Sequence, residues 1–351
     1  MTGPLALRLA TRGSPLAMWQ ARRVEELLHR SGVSASLVVV ETTGDRRLDV
    51  PLDRLGGQGV FVKEVQAAVI GGEADAAVHS AKDLPASAEH CVPGLVLAAF
   101  PERADPRDVL VGGRLATLPV GATVATGSAR RRVQLANLRP DLTFAGLRGN
   151  LATRLATVGA GGGGAGGAGG GGAGAVRERG VAAVVVAKAA LDRLDWSPPA
   201  GLELEVFDTG TMLPQVGQGA LAVECREDDA VARRALAAID DLGTRRLVTS
   251  ERAFLAELGG GCTLPVGAHA EFVEPGPQPD RTAIRLNGML ASADGLVVLR
   301  HELTGDRPDR LGRAVARYLL DGAGGHDLGE WGPGSGADDE VTVDRPPGAT
   351  R

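Results

Sequence analysis

Cysteine is scarce in this chain. Cys91, Cys225 and Cys262 are the three thiols in 351 residues, too few and too scattered for a disulfide framework, and they predict a reducing, cytoplasmic setting. No CxxC or HxxxH spacing occurs, so no metal site is expected. Long apolar runs are absent as well. No stretch reaches the roughly 18 residues of a membrane span. The opening MTGPLALRLATRGSP is broken by Arg8 and Arg12 before it attains the apolar length of a signal peptide. Aromatic residues make up 3%, which argues against stacking platforms for single-stranded nucleic acid. The formal charge of −5 lacks the basic footprint of a nucleic-acid binder. Lysine is nearly missing: Lys63, Lys82 and Lys188 are the three, and the other 35 of 38 basic residues are arginine. Any anion site must therefore be a local arginine cluster.

What is present suffices for real cores: 44% of the residues are hydrophobic, in a chain long enough for about two to three domains. The first half alternates strand and helix signals. Leu5–Ala10 reads as a strand, and Ser14-Pro15 as an N-cap with proline at the first helical position, opening a helix to about Arg30. Ser36–Glu41 reads as a strand, Phe61–Ile70 as a helix, Asp75–Ser80 and Leu95–Phe100 as strands. Thr42–Val60, rich in Gly, Asp and Arg, is long for a connection and reads as a lid or disordered flap. The alternation then repeats. Thr123–Thr126 is strand-like, Ser128 caps a helix to about Asn137, Asn150 caps another, and Val181–Ala187 is the continuous β-branched run of a buried parallel strand. This order predicts α/β layers with mainly parallel sheets.

Residues 159–174 hold twelve Gly and four Ala. No single tight turn needs twelve glycines, and no Gly-Lys-Ser/Thr follows. The segment reads as a flexible low-complexity insertion that loops outward, with a phosphate-cradling loop as the weaker alternative. From about Gly243 a helix through Leu258, three strand-like segments and a helix near Leu311–Leu320 predict a small α+β domain. The stretch from Gly322 reads as a disordered tail.

Several residues could carry chemistry. Asp83 follows Lys82 at the end of a predicted strand, where α/β sheets place ligands; capping the turn before Pro85 is an equal alternative. Arg130, Arg131 and Arg132 open one helix, and Arg148 and Arg154 flank the Asn150 cap of the next. Arginines at helix starts make bidentate clamps for carboxylate or phosphate. A solvated arginine-rich face is the plainer reading of one such cluster, but clusters follow two consecutive strands, and Arg12 also follows a strand. Cys225, in LAVEC, reads as a small buried hydrophobe. Cys262, after three glycines, reads either that way or as a reactive thiol; no nearby histidine supports a Cys–His protease.

Taken in order, LRLATRGSPLAMWQA, GGQGVFVKE, DAAVHSAKDLP, ERADPRD, ATGSARRRVQL, LRGNLATRL, VGQGALAVECR, TSERAFL and GGGCTLPVGAHA closely resemble the porphobilinogen deaminases, also called hydroxymethylbilane synthases, over about residues 5–271. The resemblance implies two doubly wound α/β lobes like those of type II periplasmic binding proteins, plus a small α+β C-terminal domain. The implied units are 1–102 with 218–240, then 103–217, then 241–321, with a tail at 322–351. It implies a transferase that condenses four porphobilinogens head to tail into hydroxymethylbilane, releasing ammonia. It implies a dipyrromethane cofactor, made from two porphobilinogens and joined by a thioether to Cys262. Asp83 would be the catalytic carboxylate, stabilising the cation left when ammonia departs.

By the same motif matches, Lys82, Thr126, Ser128, Arg130, Arg131 and Gln218 would hold the cofactor. Arg12, Ser14, Arg148, Arg154 and Arg193 would hold substrate carboxylates. A growing pyrrole chain is a polyanion, which suits the arginines. The implied protein is a cytoplasmic monomer without metal, membrane or nucleic-acid partner. Departures are Gln58, where many members have lysine, Ala81 in place of a frequent methionine, and the insertion at 159–174. A two-lobed small-anion binder without catalysis, or a glycine-rich structural protein, are the competing readings.

Overall fold

The computed structural model describes residues 6–41, 62–87, 90–147, 149–158, 180–259, 265–274, 282–292 and 294–328. The lid segment with Gln58, Arg148, the glycine insertion and Cys262 lie outside the described residues.

Strand β1 (Ala6–Arg12) leads into helix α1 (Pro15–Arg30). The Ser14 hydroxyl accepts from Ala17 N at 3.3 Å and Pro15 opens the helix, as the sequence predicts; His29 and Arg30 lie in its last turn, at the negative end. Strand β2 (Ser34–Val40), helix α2 (Lys63–Ile70), β3 (Ala76–Ser80) and β4 (Leu95–Ala99) follow. The chain then crosses to a second sheet with β5 (Asp108–Val111), β6 (Thr123–Ala125), α3 (Ala129–Leu138), β7 (Thr143–Ala145), α4 (Leu151–Leu155), β8 (Val181–Ala187), α5 (Lys188–Arg193) and β9 (Leu204–Val206). It returns to the first sheet as β10 (Leu221–Arg226), then forms α6 (Ala230–Ala237) and α7 (Leu242–Leu258). A final sheet holds β11 (Val266–Phe272), β12 (Ile284–Ala291) and β13 (Val298–Gly305), covered by α8 (Pro308–Arg317).

The two large sheets share one plan. Their strand orders are β2-β1-β3-β10-β4 and β7-β6-β8-β5-β9. In each, four strands point one way, as expected, and the fifth runs antiparallel at the fourth place. The reversed strand is in both cases the one delivered by a crossing from the other lobe. Its first residue therefore lands at the carboxyl edge of its neighbours: Leu221 lies opposite Ser80, and Asp108 opposite Ala187. Ligands gather at that edge in α/β sheets. Asp108, Gln218 and the ends of β1, β3 and β6 are thus brought to one level.

The two crossings run side by side. Ala104 N donates to Gly219 O at 3.1 Å, and Arg103 Nε to Gln218 O at 2.9 Å. Gly219 has φ +85°, and a Cβ there would stand 2.4 Å from Ala104 O, so the close approach requires glycine. Both crossings are tied to the fully buried Glu251 of α7. Its carboxylate accepts from Arg103 Nη1 at 2.7 Å, Gly217 N at 2.7 Å and Ala270 N at 2.9 Å.

Separate apolar clusters fill the faces of both large sheets and the gap between the last sheet and α7–α8, the latter around Phe254, Ile284, Leu286 and Val315. Each such fully buried side chain contributes about 1.5–3 kcal/mol. Cys225 is buried in the first lobe, and burial pushes its thiol up to about 11, matching the expectation of an inert hydrophobe. Inside the segment read as a tail, Gly325–Leu328 form a 3₁₀ turn, and Leu328 covers the third cluster.

Candidate active site

The first lobe supplies one wall. β1 ends at Arg12 and β3 at Ser80, where a 3₁₀ turn, Ala81–Asp83, carries the chain outward. Ala81 N donates to Ala220 O at 3.0 Å, which pins the turn to the second crossing. Arg12, Ser14, Gln20, His79, Ser80 and Asp83 line an open cleft of about 450 Å³. Gln20 Nε2 donates to Ser80 Oγ at 2.9 Å. Asp83 is exposed.

The second lobe supplies cations. Ser128 caps α3 by accepting from Arg131 N at 3.4 Å, and Thr126 Oγ1 accepts from Ser128 N at 3.2 Å. The arginine run then splits by helical geometry. Arg132 faces outward, while Arg130 and Arg131 turn into the protein, 3% and 7% exposed. Both meet Asp108, which is fully buried: Arg130 Nη1 lies 2.8 Å from Oδ2, and Arg131 Nη2 donates to Oδ1 at 2.7 Å. Arg130 also donates to Leu213 O and Arg131 to Val185 O. Gln218 Nε2 donates to Asp108 Oδ1 at 2.9 Å, and its Oε1 accepts from Lys82 Nζ at 3.3 Å.

Burial pushes the Asp108 carboxyl up, but Arg130 and Arg131 more than offset it and hold it below the carboxylate range. Burial, with Arg131 beside it, pushes Lys82 down to about 8, against the pull of Asp83. Burial and Arg131 likewise lower the Arg154 guanidinium, again opposed by Asp83. Arg154, half-buried on α4, is held by its Nε donating to Gly149 O at 2.8 Å, and Asn150 caps that helix through Thr153 N. Lys82, Arg130, Arg131 and Arg154 therefore share one field with Asp83 and Asp108, and positive charge is in excess by two. Such a site favours an anion carrying more than one carboxylate.

A second, narrower pocket lies where three parts of the chain meet. Lys82 and Leu84 come from the first lobe, Ser128 and Arg130 from the second, Leu255 and Val266 from the C-terminal part, with Gln215 and Val216 from the crossing. Leu255 and Val266 stand on either side of the loop that contains Cys262 in the sequence.

Of the residues singled out in the sequence, the structure groups Arg12, Ser14, Lys82, Asp83, Ser128, Arg130, Arg131, Arg154 and Gln218 in this region. Thr126 is buried behind Ser128. Arg193 stands at the crossing, where its Nη2 donates to Gly219 O at 2.7 Å and its guanidinium lies 5.7 Å from the Trp19 ring centre. Among the described residues its Nε is buried without a hydrogen-bond partner. Sequence reasoning overlooked Asp108, Gln20, Glu251 and the His79–Glu224 pair. Asp108 had a signal: a carboxylate opening the apolar run Val109–Val111 must be buried, and a buried carboxylate needs cations.

Comparison with known proteins then decides the family. Residues 7–234 match the profile "Porphobilinogen deaminase, dipyromethane cofactor binding domain", and residues 246–321 match "Porphobilinogen deaminase, C-terminal domain". The chain belongs to the porphobilinogen deaminase family. It is 42% identical over 325 residues to the porphobilinogen deaminase of Syntrophus aciditrophicus (strain SB), covering 91% of this chain and 96% of that protein. It is 45% identical over 323 residues to that of Acidothermus cellulolyticus, covering 90% of this chain and 88% of that protein. Among solved structures, the methionine binding protein MetQ aligns with a TM-score of 0.39 and 12% identity, over 70% of this chain and 94% of its own. The last similarity is too slight to bear on chemistry; the two-lobed architecture rests on the sheets themselves. The family's cofactor-binding profile spans both large sheets, and its C-terminal profile spans most of α7 and the last sheet with α8.

Proposed function

We propose that Asp83 is the catalytic carboxylate, and Cys262 the cofactor's attachment point, in a transferase of tetrapyrrole biosynthesis. The enzyme joins four porphobilinogens head to tail into hydroxymethylbilane and releases ammonia. The observation that carries the site assignment is the convergence at one place of an exposed carboxylate, a surplus of cations and the two flanks of the Cys262 loop. A dipyrromethane fits this place: Arg130 Nε is buried without a hydrogen-bond partner among the described residues, and Lys82, Ser128 and Arg130 border the pocket beside that loop. When bound, the cofactor supplies the pyrrole to which the first substrate is joined.

The chain's own residues do the rest. Lys82, Ser128 and Arg130 hold cofactor carboxylates, and Thr126, Arg131 and Gln218 fix those three in place. Arg12, Ser14, Arg148 and Arg154 hold the acetate and propionate groups of arriving substrate, with Arg193 at the crossing between lobes. Asp83 meets the positive charge that develops on the substrate ring as ammonia leaves, by charge and by accepting a pyrrole N–H. It then accepts the proton lost from the newly joined ring carbon. The units 1–102 with 218–240, 103–217 and 241–321 are read as domains, and the protein as a cytoplasmic monomer acting on a small molecule without nucleic acid. Among the described residues, no helix is long and apolar enough to cross a membrane.

Intact mass of the purified protein, with Ehrlich's reagent, tests the reading. A covalent dipyrrole is expected, and it is lost in Cys262→Ser. An adduct mapped to Cys91 or Cys225 defeats the assignment. Porphobilinogen bound without ammonia release points to a small-anion binder instead.

A further inference from the structure

Beneath the Asp83 turn lies a buried polar cluster that the reaction described above does not use. His79 on β3, Glu224 on β10 and Gln66 on α2 are 6%, 8% and 4% exposed. His79 Nε2 lies 3.1 Å from Glu224 Oε2, and Gln66 Nε2 donates to the same oxygen at 2.8 Å. In the antiparallel ladder His79 pairs with Ala222 and Glu224 with Ala77, so the two side chains bridge the strands diagonally, one residue before the ladder's last pair, Ser80 with Leu221. The His79 ring also borders the cleft that holds Arg12, Ser80 and Asp83.

The three elements have different jobs. β3 leads into Asp83, β10 emerges from the second crossing, and α2 follows residues 42–61. Apolar side chains would join them at less cost, because a buried carboxylate gives up its hydration. An apolar contact, however, tolerates sliding by a fraction of an ångström. A carboxylate held 3.1 Å from the imidazole and hydrogen-bonded to Gln66 does not. Burial pushes the Glu224 carboxyl up, but His79 at 3.1 Å, the Gln66 hydrogen bond and the charge of Arg252 bring it below the usual range, so it serves as a charged acceptor. The strand end that needs the finest placement is therefore the one given the stiffest anchor.

We infer that His79, acting through Glu224 and Gln66, is a positioning residue that sets how Asp83 stands in the cleft, and so governs turnover in preference to substrate affinity. The inference rests on the reading of Asp83 as the catalytic carboxylate. A misplacement of about 1 Å can cost up to ~10² in rate, and a partial loosening is expected to cost less.

The test is a kinetic cycle on the dipyrrole-loaded enzyme, with loading checked by intact mass and folding by thermal melting. His79→Leu and Gln66→Leu are each measured alone and combined with Asp83→Asn. Each alone should lower kcat about tenfold with KM changed less than about twofold; in the Asp83→Asn background each should cost less than about twofold. His79→Gln, which still donates to Glu224, should recover most of the loss. If the losses multiply in the combined variants, if folded and loaded single variants keep normal kcat, or if His79→Gln fails to recover, the inference is overturned. Near-normal kcat in Asp83→Asn alone strikes instead at the reading of Asp83. Should His79→Leu not fold, Gln66→Leu carries the same cycle, because it leaves the His79–Glu224 pair in place.

Discussion

Asp83 and Asp108 make an instructive contrast. Both stand at the carboxyl edge of a five-stranded sheet, one in each lobe, and the charge of Lys82 faces both. Asp108 is wholly buried, and Arg130, Arg131 and Gln218 all bond to its carboxylate. Asp83 is exposed on the cleft wall. The difference arises from chain direction. Asp108 begins a strand inserted between two others, so its side chain faces protein. Asp83 ends a turn that carries the chain off the sheet. The same functional group thus serves in one lobe to hold cations in place and in the other to meet a cation that exists only during the reaction.

The contrast breaks first if Asp108 proves dispensable. Asp108→Ala leaves two arginines buried against each other, and should cost about 3–5 kcal/mol of stability, read as a large drop in the denaturant midpoint. A midpoint within experimental error of the parent contradicts the structural role. Asp83→Asn keeps size but removes charge. Its stability should barely change, while turnover falls roughly 10²–10³-fold, about 3–4 kcal/mol of transition-state stabilisation. Ammonia release at constant loading measures it, and near-normal release removes Asp83 from the mechanism.

Lys82, between the two aspartates, sharpens the comparison through pH. Its folded pKa of about 8 lies below the ordinary 10.5, so between these values the unfolded chain binds more protons. Stability should therefore rise with pH across that window, by on the order of 1 kcal/mol after allowance for solvent screening. The comparison is made in Cys262→Ser, which carries no dipyrrole carboxylates, with and without Lys82→Met. The difference between the two curves should slope upward from pH 8 to 10.5. A flat difference means the lysine is not held as described. The smallest effect belongs to the glycine insertion. Removing Gly161–Gly172 should leave activity and melting almost unchanged, since loop length costs only about 0.6 kcal/mol per doubling. A stalled ladder of enzyme-bound pyrroles in native mass spectra would place that segment in the site.

Much of the fold was legible because its signals are local. Ser14, Ser128 and Asn150 all cap the helices assigned to them, and Val181–Ala187 is a buried strand with the limits expected. Asp83, Arg130 and Arg154 could be picked out because they follow strand ends. Asp108 offered only the hint of a carboxylate opening an apolar run, with its partner Arg131 23 residues away, and Glu251 offered none, since its partner Arg103 lies 148 residues away across a domain contact. The orientation of Arg131 was equally hidden: spacing gives the helix, but only the antiparallel insertion of β5 says what lies under it. Gly219 shows the same limit, since its need for glycine comes from Ala104, far away in sequence.

The paired crossings have a mechanical consequence. Two thin strips pinned edge to edge behave like a leaf spring: they bend easily about one axis and resist shear and torsion. Hydrogen bonds from Ala104 to Gly219, and from Arg103 to Gln218, join the strips, while Glu251 anchors both to the C-terminal part. Any parting of the lobes must therefore bend both strips together, against an anchor that holds both. A product that lengthens by one ring at a time thus meets two walls joined through a doubled link, not a single flexible strand.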